Sequence, residues 1–317
     1  MRFGKLNSEE LKTSILDLLG YNRREVVRGG AAGADCAVVK SDEYILLTTD
    51  PITVTDADCA RLAVIVSIND IAAGGGEPFA CLVTIIAPPY KTAEDIRSVM
   101  TELIDEARKH NVDIIGGHTE FSDAVNRTVV SCTMLGKAKE LPLGGPQPGD
   151  SIIVTKTVGI EGTYILAKEY KEKFTESETR QAAELFDKLC VAKEGAVAKT
   201  CGVRLMHDIT EGGIMSALAE ICGDETGAEL YIDKIPIADI TRRVCGILSV
   251  DPYRLLGSGS MLIITPEPKR LTDALAAKGI PCAEVGRIND CGRAVAVYGD
   301  GRLEELKIFA DEVYSGR

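Results

Sequence analysis

The sequence predicts an α/β protein of two domains, in which each domain mixes strands and helices in an α+β arrangement. Short runs of β-branched and apolar residues alternate with longer segments of helical periodicity along most of the chain. The length of 317 residues allows two domains of ordinary size. A Gly- and Pro-rich stretch, GGPQPGD at 144–150, separates two such alternating patterns. We therefore expect one domain over residues 1–143 and another over residues 150–317.

The first domain is expected to open with a helix that Ser8 caps and Gly20 ends. Residues 28–35 are too rich in Gly for regular structure. A buried helix is expected at 58–73, before three glycines, and a second helix from Thr92. Strands are predicted at 36–39, 44–49, 81–87, 112–115 and 127–135.

The second domain repeats the alternation of strands and helices. Strands are predicted at 151–155, 203–206, 261–265 and 282–288. Helical periodicity covers 178–200, 213–222 and 266–278.

Composition narrows the classes of partner and compartment. A formal net charge of -12 argues against a nucleic-acid backbone or an anionic membrane as the main partner, since both attract basic patches. The ten cysteines include no C-x-x-C pair, and most sit in apolar runs, which favours reduced packing residues in the cytosol. The N-terminus lacks the apolar stretch of a signal peptide. We expect a soluble cytoplasmic protein.

Three carboxylates are candidates for chemistry: Asp35, Asp50 and Asp70. Asp35 follows the Gly-rich segment, Asp50 ends a predicted strand, and Asp70 is a charge inside an apolar helix. A charge in apolar surroundings is usually paired with a cation or a metal. Nucleotide-bound Mg²⁺ typically takes one or two carboxylates besides phosphate oxygens. Asp35 and Asp50 also fit simple turn positions.

Two polar segments follow predicted strands. Gly116 to Glu120, read as a tight turn, contains His118, a possible metal ligand or proton shuttle; a lone His is more often structural, and three histidines make a zinc site improbable. HDITEGG at 207–213 precedes a helix, so its N–H groups suit an anion. The alternative there is helix capping by Thr210.

Gly29, Gly30 and Gly33 would let backbone N–H groups approach phosphates closely. Their spacing matches neither a P-loop nor a dinucleotide-binding fingerprint, so this signal is weak when taken alone.

Taken together and in order, these segments resemble the aminoimidazole-ribotide synthetase (PurM-like) superfamily, most closely its hydrogenase-maturation carbamoyl dehydratase branch. The matching segments are GADCAVV at 33–39, TTD at 48–50, NDIAAGGGEP at 69–78, GGHT at 116–119, HDITEGG at 207–213 and GSGSML at 257–262. The resemblance implies an N-terminal ATP-binding domain, a C-terminal α/β domain and a homodimer joined through the N-terminal sheets. It also implies Mg²⁺ and phosphoryl transfer from ATP to an oxygen of a small molecule or of a maturation partner's group.

Carried over position by position, the resemblance assigns metal binding to Asp35, Asp50 and Asp70. It assigns ATP contacts to the same carboxylates and to six further positions: Gly29, Gly30, Gly33, Gly117, His118 and Thr119. The candidate catalytic residues are Asp70, His118 and Asp208.

Several positions depart from the family pattern. Ala34 replaces the first Asp of a G-D-D element, which is expected to weaken or alter metal coordination. His118 stands where dehydratase-like members carry Asp. Selenophosphate synthetases have His there but need a reactive Cys or selenocysteine near the N-terminus, and the first Cys here is Cys36. Thiamine-monophosphate kinases carry D-x-S-D-G where this chain has Asp208 and Glu211. A selenophosphate-synthetase-like or kinase-like enzyme, or a non-catalytic ATP-binding assembly protein, stays an alternative.

The dehydratase branch carries its substrate on a C-terminal Cys. No Cys follows Cys291 in this sequence, and the apolar residues in LKIFADEVYSGR at 306–317 favour a docked segment. We therefore expect the protein to act on a diffusible molecule or on a partner's group.

Overall fold

The computed structural model describes residues 26–28, 37–40, 42–53, 58–223 and 226–315. They fall into two compact units, one containing the described residues up to Glu140 and the other those from Leu141 onward. The predicted helix that starts at Ser8 and the Gly-rich segment from Gly29 to Asp35 lie outside the described residues. Within the described residues, no helix is long and apolar enough to cross a membrane.

The N-terminal unit is a six-stranded sheet in the order β1-β2-β3-β6-β4-β5 with two helices. The β4–β5 pair is parallel and the other neighbours are antiparallel. The elements are β1 (Val26–Arg28), β2 (Ala37–Lys40), β3 (Tyr44–Ile52), α1 (Cys59–Ala73), β4 (Glu77–Ala87), α2 (Ala93–Lys109), β5 (Asp113–Phe121) and β6 (Val129–Ala138).

Every residue of helix α1 except Arg61 is buried. Its sequence is apolar on all sides, as expected of a helix enclosed by a sheet and a second helix. Helix α2 is amphipathic instead. It begins with a capping box between Thr92 and Asp95 and ends with Arg108 and Lys109, whose charges suit a helix C-terminus.

A buried carboxylate joins the two helices. Glu106 of α2 accepts hydrogen bonds from Arg61 Nε of α1 at 3.0 Å and from Lys109 Nζ at 2.9 Å, and His110 Nε2 lies 3.3 Å from it. Burial raises the pKa of Glu106, but the contacts with His110, Lys109 and Arg61 outweigh burial and lower the pKa to about 2.

The C-terminal unit is a seven-stranded sheet in the order β13-β12-β9-β11-β7-β10-β8. Only β9 and β12 are parallel neighbours among these strands. The elements are β7 (Ser151–Thr155), α3 (Ile160–Glu169), α4 (Glu176–Ala183), α5 (Ala192–Ala198), β8 (Leu205–Asp208), α6 (Gly213–Cys222), β9 (Gly227–Tyr231), α7 (Asp239–Leu248), β10 (Met261–Thr265), α8 (Pro268–Ala276), β11 (Cys282–Asn289), β12 (Ala294–Val297) and β13 (Leu303–Glu305).

Three sequence predictions need correction. The helical segment predicted at 178–200 is divided into α4, a 3-10 turn over Glu184–Lys188 and α5. The tighter turn places Leu185 and Phe186 in the core, and the Phe186 ring meets the Tyr164 ring edge-on at 5.1 Å. The strand predicted at 203–206 is instead β8, Leu205–Asp208. The tight turn predicted at 116–120 is part of β5, because it pairs with β4 along its length.

Candidate functional site

Two of the three candidate metal carboxylates lie on one face of the N-terminal sheet. Asp50 does not end β3, as predicted, but lies inside it, opposite Cys132 of β6. Asp50 shares the face that packs on α1 with Thr48, two residues earlier.

Thr48 connects this strand to Asp70 of α1, since its hydroxyl donates a hydrogen bond to the Asp70 carboxylate. Asp70 is 8% exposed near the end of α1. The carboxylates of Asp50 and Asp70 therefore face the same side of the sheet, one on the strand and one on the helix above it. Two carboxylates and a hydroxyl suit a hard cation such as Mg²⁺ that also binds phosphate oxygens.

The third candidate ligand, Asp35, lies outside the described residues. So do Gly29, Gly30 and Gly33, the glycines proposed to contact phosphates. Within the described ranges, no three His, Cys, Asp or Glu side chains are grouped closely enough to hold a metal ion by themselves. Of the three candidate metal ligands, two are therefore described, Asp50 and Asp70, and two carboxylates is a number typical of Mg²⁺ that also binds phosphate oxygens.

Strand β5 separates the other predicted N-terminal residues. The register pairs Gly117 with Val83 and Thr119 with Ile85, so these positions belong to the face that carries Asp50. His118 pairs with Thr84 and therefore belongs to the opposite face, where it is 66% exposed and lies 3.4 Å from Glu120. The structure does not bring His118 together with the carboxylates.

The C-terminal segment HDITEGG forms the passage from β8 into α6. Asp208 ends β8 and is 1% exposed, and the ring of the adjacent His207 is buried. Gly212 is the N-cap of α6 with φ 75°, and Gly213 follows with φ 63°. Both conformations favour glycine. The alternative that Thr210 caps this helix is therefore wrong, because the N-cap is Gly212.

Three loops meet at this edge of the C-terminal sheet. Strands β7 and β8 both run antiparallel to β10, so they are parallel to each other and lead at the same edge into α3 and α6. The loop before β10 joins them: Gly162 N donates to Leu256 O at 2.9 Å, and Ile209 N donates to Ser260 O at 3.1 Å.

Carboxyl groups gather at this edge. Glu161, in the first turn of α3, is 4% exposed, and burial raises its pKa to about 7, while the Ser258 hydroxyl beside it lowers the pKa and the charges of Asp311 and Glu211 raise it. A carboxyl group in this range exchanges its proton near neutral pH. Sequence reasoning missed Glu161. The available signal was its place between Gly159 and Gly162, directly after a strand.

Comparison with known proteins identifies the family. Residues 33–138 match the AIR synthase related protein, N-terminal domain, and residues 147–299 match its C-terminal domain. The chain is 27% identical over 324 residues to a putative hydrogenase expression/formation protein of Methanocaldococcus jannaschii, covering 99% of this chain and 93% of that protein. It is 27% identical over 300 residues to the carbamoyl dehydratase HypE of Rhodobacter capsulatus, covering 91% and 84%.

Solved structures show the same fold. The crystal structure of a HypE–HypF complex matches with a TM-score of 0.77 at 20% identity, covering 94% of this chain and 98% of that chain. The crystal structure of hydrogenase maturation protein HypE in complex with ATP matches with a TM-score of 0.69 at 21% identity, covering 98% and 96%. The predicted fold and resemblance are confirmed, and the chain belongs to the family of AIR synthase related proteins, with an N-terminal and a C-terminal domain of that family.

Proposed function

We propose that this protein is a Mg-ATP-dependent enzyme that phosphorylates an oxygen atom of a small molecule or of a group on a partner protein. The observation that carries the proposal is that Asp50 and Asp70 face the same side of the N-terminal sheet, with Thr48, two residues before Asp50, hydrogen-bonded to Asp70. The family of this protein also supports the proposal, since one relative is a carbamoyl dehydratase and a structural neighbour contains ATP.

The N-terminal residues have defined tasks under this proposal. Asp50 and Asp70 would hold Mg²⁺, which when bound neutralises and orients the phosphate oxygens of ATP. The Thr48 hydroxyl keeps the Asp70 carboxylate in one orientation by occupying one of its oxygens. Gly117 and Thr119 contribute the sheet edge on the same side, where backbone groups are accessible to a nucleotide.

The C-terminal domain would act on the phosphoryl acceptor. Asp208 is held at the end of β8, and Glu161 lies at the same sheet edge with a pKa raised to about 7, first by burial. Such a group accepts a proton from an attacking oxygen or returns it to a leaving group near neutral pH. His118 has no assigned task here, because it faces away from the carboxylates.

Calorimetry of Mg-ATP binding tests the proposal. Asp70→Asn should weaken binding at least about tenfold, since hydrogen bonds and contacts to charged groups contribute about 1.5–3 kcal/mol each. Thr48→Val should weaken it less, because the carboxylate stays. Asp123→Asn, at an exposed position of the same unit, is the matched control and should bind like the parent. Unchanged affinity in Asp70→Asn refutes the assignment.

A second experiment separates an enzyme from a non-catalytic ATP-binding assembly protein. ATP hydrolysis is measured with and without Mg²⁺, alone and with candidate acceptors. Turnover that requires Mg²⁺ and is lost in Asp70→Asn supports the enzyme. Tight Mg-ATP binding without turnover under any condition supports the assembly protein, an alternative that the Ala34 substitution favours.

We also propose a homodimer formed through the N-terminal sheet. The face opposite α1 carries Leu82, which is 43% exposed in the middle of β4, with Thr49, Thr84 and Thr133 around it. Exposed apolar groups in the centre of a sheet favour coverage by a second surface. The HypE–HypF complex supports a further protein partner in this family.

A further inference from the structure

Residues 306–314, near the end of the described chain, pack on the rest of the C-terminal unit and are called here the C-terminal strap. Leu306 N donates to Ala294 O at 2.9 Å, and Phe309 N donates to Ser216 Oγ of α6 at 2.9 Å. Val313 is fully buried. These contacts agree with the docked segment that the sequence favoured.

One carboxylate of the strap reaches the candidate site. Asp311 is 3% exposed and accepts three backbone hydrogen bonds, from Gly212 N at 2.7 Å, Leu256 N at 3.2 Å and Val313 N at 2.7 Å. The first donor belongs to the turn between β8 and α6, the second to the loop before β10, and the third to the strap itself. A single side chain therefore fixes three segments that are far apart in the sequence.

The contact with Gly212 pairs a backbone N–H at the start of α6. The first N–H groups of a helix have no partner within it. Gly212 is the N-cap of α6, and its own N–H donates to Asp311, while the N–H of Met215 in the first turn donates to Tyr253 O at 3.3 Å. Gly212 is also tightly enclosed, since a Cβ added there would lie 2.1 Å from Ser216 Oγ and 2.8 Å from Phe309 O. The strap thus supplies both the acceptor and part of the wall.

We propose that Asp311 is a positioning residue, which holds the turn from Asp208 to Gly213 in the geometry that the acceptor side of the reaction requires. This inference rests on the proposed function for the role of that turn. The strap is accordingly part of the candidate site and not an appendage of the fold.

The Asp311 carboxylate is buried near other carboxyl groups, and its three hydrogen bonds stabilise its charged form. Glu161 faces it from α3 and Glu211 from the turn, while Arg254 lies over the Phe309 ring at 4.1 Å. Burial raises the pKa of Asp311 to about 6, the three N–H donors lower it, and Glu211 raises it. Removing the acceptor would leave three buried N–H groups without their partner.

Hydrogen–deuterium exchange followed by mass spectrometry tests the positioning role. In Asp311→Asn one carboxylate oxygen becomes an amide nitrogen, which cannot accept, so exchange over residues 209–216 should accelerate at least about tenfold, the equivalent of one lost hydrogen bond. Exchange in β7 and β11 should not change. Asp273→Asn, on the exposed side of α8, is the control. Unchanged exchange at 209–216, or equal acceleration across the whole unit, overturns the inference.

Kinetics supplies a second readout, in which kcat is expressed per folded molecule, as measured by far-UV circular dichroism, so that loss of stability alone does not move it. If the parent hydrolyses ATP, Asp311→Asn should lower kcat at least about tenfold with an unchanged KM for ATP, since ATP binding is assigned to the other domain. An increase in KM alone contradicts the positioning role. A parent that turns over no ATP, alone or with any candidate acceptor, contradicts the proposed function, and the exchange experiment then decides the role of Asp311 by itself.

Discussion

Gly117→Ala is the substitution for which the structure predicts the largest local effect. A Cβ at Gly117 would lie 1.9 Å from Val83 O, and the backbone there has φ 153°. The obstacle is the backbone of β4, so β5 must move away by roughly 1.5 Å to reach an ordinary contact distance. Overpacking of this kind costs about 1–3 kcal/mol, and each ladder hydrogen bond lost adds about 1 kcal/mol. We expect Gly117→Ala to lower the free energy of unfolding by about 3 kcal/mol.

The neighbouring glycine offers a matched control. A Cβ at Gly116 would lie 3.2 Å from Leu82 Cδ2, the end of a flexible side chain on the exposed face, so Gly116→Ala should cost under about 1 kcal/mol. Urea unfolding is followed by far-UV circular dichroism, since the chain contains no Trp. Equal free energies of unfolding for the two variants would refute the described pairing of β5 with β4.

Three further outcomes are expected. Glu106→Gln should lower the free energy of unfolding by about 2–3 kcal/mol at pH 7, and Glu102→Gln on the exposed side of α2 should not. Because the pKa of Glu106 is lowered from 4.5 to about 2, the difference should persist above pH 4.5 and vanish as the pH falls toward 2; a pH-independent difference contradicts this. The pKa of Glu161 is raised from 4.5 to about 7, so this group should lower the free energy of unfolding of the parent as the pH rises from 4.5 through 7. In urea titrations, Glu161→Gln should therefore be more stable than the parent at pH 8 by up to about 3 kcal/mol, and the stabilities of the two proteins should converge near pH 4.5. Leu82→Lys should convert the proposed dimer into a monomer by light scattering, and Leu303→Lys, at an exposed position of the other unit, should not; a parent that is monomeric at micromolar concentration contradicts the dimer.

Local patterns predicted the elements whose burial is uniform or periodic. The apolar run at 58–73 predicted α1 to within one residue, and Asp70, the one carboxylate inside α1, stood out for the same reason. The Gly- and Pro-rich segment at 144–150 begins after the N-terminal family match, which ends at residue 138, and overlaps the start of the C-terminal match at residue 147. Such features depend on residues that are close together in the sequence, so the local pattern of residue types is enough to predict them.

Features set by distant partners were not predictable. Glycines and polar residues at 116–120 are typical of a turn, but the edge of β4 offers them a hydrogen-bonding partner and extends β5 through them. Strands β9 and β12 were missed, and they form a parallel pair separated by more than sixty residues. The hydrogen bond from Gly212 N to the Asp311 carboxylate spans 99 residues, so no local sequence window contains both partners.

The enclosure of α1 restricts how its sequence is able to vary. Because the sheet and α2 cover it, and Arg61 alone escapes burial, α1 offers no side on which substitutions meet only water. Helix α2, with three buried residues, tolerates change over most of its circumference. Natural drift in this domain should therefore concentrate in α2 and its loops. Asp70 and Thr48 would then lie in a neighbourhood where volume changes are mostly deleterious, so that new substrate preferences would have to arise elsewhere in the molecule.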